Sequence, residues 1–552
     1  MKTMNKWWIW ATVISIITVV VMLIYPPVFY LNDDVTMRSI LSGAYTGTPD
    51  GHAVYMQYPL TGLIALLYRV IHFVPWLEMF FVGCIWSCMI LLIYHATRPY
   101  IGFGIAVVIY LPFCFYMHYT IVAALLAGTA IFLTVVKKKL LWPIVLFLVA
   151  YMIRSQIGLL SLPFMAVAMV WRLVVSEKEE RKSEALYLAR QSVVLLIGIL
   201  LCALINGCFY ISDDWKQYHI YNDSRTLLYD YTDFLSVDSY AKTYEDYGMT
   251  AQEYEILASY DTMLTTDIDA EKMQEIATRV SNGMKDRNSV LERLQDVFRK
   301  YYLQIRYNDK PFNYLWIGIC LFLGIGFVMK KKWLPFLYLG ILAVGRSSIW
   351  MYLIWQGRFP ERVSWSLYIL EIMILVGVGT WFVQNCKMTA KAIKAGVFVI
   401  CGVAVLGTGL YQWKSVLNRV SQQAQIQSEW NTLRRYCEEE KERLYLVDVF
   451  SVVEYGDYLF SKDAENVMLL GGWMTASPLV QERFEDLGYQ DGAECLYYGE
   501  NVSLIVEDGC DVSWLEKYLQ SRFGECKLEV AEYIDSREPK RFLEYRVVRS
   551  EE

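Results

Sequence analysis

Apolar and polar positions along this chain segregate into long blocks rather than alternating at a short period. Residues 7–25 form the first unbroken apolar run, and others follow at 76–94, 101–117, 121–136, 140–153, 157–175, 189–211, 314–329, 333–349, 365–383 and 395–411. A helix rises about 1.5 Å per residue, so runs of this length approach or match the ~30 Å of hydrocarbon in a bilayer. The pattern predicts a polytopic α-helical membrane protein with about eleven transmembrane helices, of which the run at 140–153 is the shortest. Lys2 and Lys6 precede the first run, and Pro26-Pro27-Val28-Phe29-Tyr30 follows it in place of small cleavage-site residues, which predicts a retained span rather than a removed leader.

Basic residues between the runs orient them. With the N-terminus cytoplasmic, Arg98, Lys137-Lys138-Lys139, the Lys/Arg cluster of 172–190, Lys330-Lys331-Lys332, and Lys387, Lys391 and Lys394 all fall on cytoplasmic turns. The apolar stretch 60–74 is the exception. Counting it as a span would move both lysine triplets outside, and it contains Arg69 and His72, so it is predicted as an interfacial or half-inserted helix. Four regions follow: spans one to seven with outer loop 31–75 (1–211), an extracytoplasmic loop (212–313), spans eight to eleven (314–411), and an extracytoplasmic tail (412–552). The tail reads as a small α/β domain. Helical spacing over 414–443 is followed by strand-like runs at 444–449, 467–470, 502–506, 527–534 and 542–548, with helical patterns at 478–487 and 512–523 between them. The middle loop is predicted helical over 269–306, after a first half rich in acids and in tyrosines such as Tyr218, Tyr221, Tyr229, Tyr231, Tyr240, Tyr244 and Tyr247.

Composition agrees with a bilayer as part of the solvent: 55% of residues are hydrophobic and 20% charged, where soluble domains carry about 25% charged. The net charge of −6 supplies no basic field for nucleic acid. Of twelve cysteines, Cys437, Cys495, Cys510 and Cys526 lie in the polar tail, where no C-x-x-C motif marks a metal or redox centre and any pairing is left open.

Candidate chemistry begins where the first span ends, at Leu31-Asn32-Asp33-Asp34-Val35-Thr36-Met37-Arg38. One aspartate here would serve as a helix N-cap; the second is then available for another task. The loop continues through Ser42-Gly43 and His52 to Gln57-Tyr58-Pro59-Leu60. This arrangement resembles the GT-C superfamily, membrane glycosyltransferases that use polyprenyl-phosphate-linked sugars. There too a long first outer loop carries an acidic pair soon after span one and returns through membrane-surface helices, and many members end in an outward soluble domain. Only Asp33-Asp34 maps residue by residue. The resemblance implies a cell-membrane enzyme that inverts the anomeric carbon while moving a sugar from a polyprenyl-phosphate donor to a glycan, lipid or protein acceptor. Asp33 or Asp34 would take the acceptor's hydroxyl proton, or else bind a divalent cation.

The departing phosphate needs positive charge, and the planar fork of arginine pairs with phosphate in a bidentate way. Arg154, Arg346, Arg358 and Arg362 lie at the predicted outer ends of spans, in loops that are otherwise poor in basic residues. Snorkelling to headgroups or pairing with Glu361 would equally account for any one of them. Glu371, two turns into a span, should face protein, a cavity or a partner, because a charge in the bilayer costs about 2.5–3.5 kcal/mol. Glu371, His52 and Tyr58 complete the candidate pocket residues. His52, His72 and His118 lack the spacing of a zinc motif. Gly471-Gly472-Trp473 is predicted to be a turn with a packed tryptophan, and Asn222 and Asn501 begin N-x-S sequons. Two other classes remain open: a transporter or lipid flippase, which would usually show paired repeats that this chain lacks, and a non-catalytic scaffold, for which so many spans are excessive.

Overall fold

The computed structural model describes residues 6–96, 98–136, 141–232, 234, 244–285, 290–308, 310–357, 359–385, 391–534 and 542–549. In chain order, α1 (Trp7–Ile24) leads through strand β1 (Val28–Phe29) to α2 (Asn32–Ser42), α3 (Tyr58–Val70) and α4 (Trp76–His95). Helix α5 (Pro99–Ile105) continues as a π turn and a 3-10 turn to Cys114, and β2 (Tyr116–Met117) precedes α6 (Tyr119–Val136). Then come α7 (Trp142–Ile153), α8 (Ser155–Val175) and α9 (Arg181–Phe209). The middle segment holds α10 (Asp213–Tyr231), α11 (Ala251–Ser259), α12 (Ala270–Lys285) and α13 (Val290–Leu303). Helices α14 (Lys310–Met329), α15 (Trp333–Trp355), α16 (Glu361–Asn385) and α17 (Lys391–Glu439) follow.

This is a helical membrane protein. Among the described residues, eight helices, α1, α4, α6, α8, α9, α14, α15 and α16, are long and apolar enough to cross a bilayer. The runs predicted at 101–117 and 140–153 form shorter helices, and 395–411 is contained in the 49-residue α17, which also absorbs the helix predicted to open the tail. No proline or glycine cap separates the two patterns, so one helix carries both. Stretch 60–74 is the 13-residue α3, too short to cross. At the centre, α6 is almost wholly enclosed. It meets α16 closely because Gly377 has no side chain: a Cβ there would lie 2.7 Å from Val135.

The first half of the middle loop is more helical than its tyrosines and acids suggested. Ser212 caps α10 by accepting the Trp215 N–H, and Trp215, Tyr218, Tyr221, Asn222, Arg225 and Leu228 recur at helical spacing on one buried face. The tail folds around a five-stranded sheet of β3 (Leu444–Val447), β4 (Val467–Leu469), β5 (Val502–Glu507), β6 (Cys526–Ile534) and β7 (Phe542–Arg549), in the order β4-β3-β5-β7-β6. Strand β3 runs parallel to β4 and β5, whereas β7 is antiparallel to both β5 and β6. Helices α18 (Val449–Val452), α19 (Pro478–Leu487), α20 (Gly492–Tyr498) and α21 (Ser513–Phe523) connect the strands. Its four cysteines are unpaired.

Backbone bonds attach this tail to the exit of α1. Strand β1 pairs in parallel with β2, Phe29 donates its N–H to the Asp457 carbonyl at 2.8 Å, and Leu459 donates to the Pro27 carbonyl at 2.8 Å. The seam so formed positions the candidate site.

Candidate functional site

Helix α2 separates the two aspartates by rotation. Successive helical residues turn by about 100°, which is enough to carry Asp33 and Asp34 to different faces. Asn32, Asp33, Val35, Thr36 and Ser39 form one stripe and line a cavity of about 560 Å³. Asp34, Met37, Arg38 and Leu41 form the opposite, buried stripe. Neither aspartate is the N-cap. Leu31 holds that position without a side-chain bond, and both carboxylates lie in the first turn, where the helix dipole favours negative charge.

Asp34 accepts the Tyr119 backbone N–H at 2.9 Å, and its second oxygen lies 3.9 Å from Nε2 of His118. Burial raises the Asp34 pKa well above the usual carboxylate range, against the opposing pull of the Tyr119 N–H. Burial likewise lowers that of His118, as do the nearby charges of Arg362 and Arg154. Nδ1 of His118 accepts the Thr120 N–H at 3.0 Å, which leaves the ring proton on Nε2. The buried side of α2 therefore places a carboxyl group whose burial favours its protonated form beside an imidazole whose burial favours its neutral form.

The cavity receives two of the four predicted arginines. Arg154, in extended conformation between α7 and α8, lays its guanidinium over the rings of Tyr55 at 5.0 Å and Tyr119 at 5.1 Å. Arg362 enters from the first turn of α16. Glu361, the expected partner for an arginine there, is bound instead by Arg419 through both guanidinium nitrogens at 2.5 Å. Among the described residues, neither Arg154 nor Arg362 has a carboxylate within ion-pair distance. Asp33, Arg154 and Arg362 thus line one hollow.

The other walls come from the middle segment and the tail. Asp223, Arg225, Thr226 and Asp230 of α10 line one side, with Tyr260. Arg225 holds Asn222 at 2.9 Å, Thr226 at 3.0 Å and the Tyr260 hydroxyl. The tail contributes Trp430, Arg434, Asp457, Asp463, Trp473 and Arg483. Its acids are neutralised locally: Arg38 donates to Asp457 and to Asp463, both at 2.5 Å, and Arg434 reaches Asp457 at 3.2 Å. Gly471 lets Tyr260 close in, since a Cβ would meet the Tyr260 carbonyl oxygen at 1.9 Å. Gly472, at φ +110°, turns Trp473 onto Tyr55, so the predicted packed tryptophan also faces the cavity.

The remaining predicted residues lie elsewhere. Arg346 and Glu371 pair with each other at 2.8 Å inside the helix bundle, with Asn313 accepting from Arg346 and Trp350 Nε1 donating to Glu371 at 2.7 Å. His52 binds Asp50 at 2.7 Å and stacks on Trp215, and Tyr58 stacks on Phe209. These two pack the join between the outer loop and α10 rather than lining the cavity. Arg358 lies outside the described residues, as do Lys137, Lys138, Lys139, Lys387 and Tyr240. Asn222 is buried against Arg225, so its sequon is closed. The residues do not fit a divalent cation: the two aspartates point to opposite sides of α2, and no cluster of three His, Cys, Asp or Glu ligands occurs among the described residues.

Sequence reasoning missed Tyr55, Tyr119, Arg225, Tyr260, Arg434 and Arg483. A signal existed for α10, where Asp223, Thr226 and Asp230 form a polar stripe beside the buried aromatic one. For the tail residues none existed, since strand topology brings them to the cavity across hundreds of positions. No protein-family model, curated protein or solved structure matches this chain.

Proposed function

We propose that the chain is an integral membrane glycosyltransferase of GT-C type. It has about eleven spans, a cytoplasmic N-terminus and a site opening on the outer face of the cell membrane. The observation that carries this reading is one cavity lined by Asp33 together with Arg154 and Arg362, two arginines without a carboxylate at ion-pair distance among the described residues. At about 560 Å³ it falls within the size range of small-molecule sites.

In this mechanism Asp33 is the base. Its carboxylate takes the proton from an acceptor hydroxyl as that oxygen attacks the anomeric carbon of a polyprenyl-phosphate sugar. The bond from that carbon to the phosphate oxygen breaks, and the lipid phosphate leaves with its charge held by Arg154 and Arg362. Asp33 is preferred to Asp34 for this role because Asp34 is buried away from the cavity and accepts the Tyr119 N–H. The raft of Tyr55 and Tyr119 beneath Arg154 holds the guanidinium in place while leaving its edge N–H groups for phosphate.

Asp33→Asn is expected to reduce sugar transfer by about 10²–10⁴-fold, the usual contribution of a general base, with an unchanged unfolding midpoint. The assay supplies membranes with labelled polyprenyl-phosphate sugars and follows label into the acceptor fraction. Full transfer by the variant would eliminate the mechanism, and vesicle uptake of the same label without transfer would favour a transporter.

A further inference from the structure

The cavity is a cleft along α2, with positive charge at both ends. Asp33 and Ser39 lie on the same stripe six residues apart, which is about 9 Å along a helix axis. Arg154 belongs to the Asp33 end, because it rests on Tyr119, whose N–H is bonded to Asp34. Tyr45 belongs to the other end, where its N–H donates to the Ser39 carbonyl at 3.1 Å. Over the Tyr45 ring, at 5.5 Å, lies the guanidinium of Arg483 from α19.

Arg483 differs from the other tail arginine of the cavity. Arg434 is matched by Asp457 and Glu438. Arg483 reaches the Glu465 carbonyl at 3.3 Å, and among the described residues it has no carboxylate within ion-pair distance. Burial lowers its pKa, whereas Arg225, which lines the same cavity, is driven up by its partners despite burial. A partly buried cation without a counter-ion is costly, and an anionic ligand group would relieve that cost.

We propose that Arg483, seated on Tyr45, is a second anion-binding subsite at the Ser39 end of the cleft, which takes a phosphate or carboxylate carried by the acceptor. The assignment to the acceptor rests on the glycosyl-transfer reading above: a polyprenyl-phosphate donor carries a single phosphate, which that reading gives to Arg154 and Arg362, so an anion on Arg483 comes from the other substrate. The acceptor then carries an anionic group beyond the hydroxyl that Asp33 activates.

The test uses the full chain in lipid nanodiscs and inorganic phosphate as the probe. Calorimetric titration is expected to give two phosphates per wild-type chain, one for R483Q, and one for the R154Q/R362Q double variant. R483K should keep the second phosphate with affinity reduced about tenfold. Repeating the titration with acetate separates a carboxylate site from a phosphate site. A wild type that binds fewer than two anions, or an R483Q chain that binds as many as wild type, overturns the proposal. Should R483Q fail to fold, phenylglyoxal modification of wild type decides: phosphate must protect Arg483, and unprotected modification overturns the subsite. Because these readouts need no transfer, they are independent of the Asp33→Asn assay.

Discussion

Two arginines seated on aromatic rings, the buried Arg346 and the partly buried Arg154, differ in how their charge is met. Arg346 lies in the helix bundle with Glu371 at 2.8 Å, Asn313 at 2.9 Å and the rings of Trp316, Trp350 and Tyr368 around it. Arg154 has a similar aromatic seat in Tyr55 and Tyr119, yet no carboxylate within ion-pair distance among the described residues. Both were equal candidates in the sequence, as arginines at the predicted outer ends of spans. What separates them is pairing: the first has its charge matched by a carboxylate of its own chain, and the second borders an open cavity.

The sharpest way to break the comparison is Glu371→Leu, which strands Arg346 in the bundle. It should cost about 3–5 kcal/mol of stability, seen as a large fall in the unfolding midpoint in detergent. A midpoint within error of wild type would mean the pair is not structural. Arg154→Gln should do the reverse, leaving the midpoint alone while raising the KM for the polyprenyl-phosphate donor about 10–100-fold, since a charge-assisted bond contributes about 1.5–3 kcal/mol. A changed acceptor KM with an unchanged donor KM would reassign Arg154. Tyr119→Leu removes one ring of its seat, worth about 0.5–2 kcal/mol, and should raise the same KM by less than Arg154→Gln does.

The smallest effect belongs to Asp34. Its native pKa is raised by burial, so the folded chain holds a proton that the unfolded chain releases near pH ~3.9. Stability from this group is present below that value and is lost as pH rises toward the native pKa. Asp34→Asn keeps an oxygen for the Tyr119 N–H and carries no proton to lose. Its stability relative to wild type should therefore climb across that window, with transfer changed less than tenfold. Equal pH profiles for the two chains would contradict a buried, protonated Asp34.

Most of the helical architecture was legible because a bilayer demands long apolar runs, and those at 7–25, 76–94 and 365–383 became α1, α4 and α16. The Asp33-Asp34 pair was legible as a candidate, but not that Asp33 would line the cavity while Asp34 is buried. This depends on which face of α2 meets the cavity, and that is set by Arg38 reaching Asp457 and Asp463 in the tail. Likewise Arg362 was released for the cavity only because Arg419, on α17, took Glu361. Charge pairing across such distances leaves no local trace in the order of residues.

The contact from Arg38 to Asp457 spans 419 positions of the chain, and it has a consequence for synthesis. Until the ribosome has delivered that segment, the emerging polypeptide has the aspartate of α2 but lacks the far wall of the hollow. A copy that stopped short of Asp457 would lack the tail residues that line the cavity, so the hollow is complete only after that segment folds back onto α2.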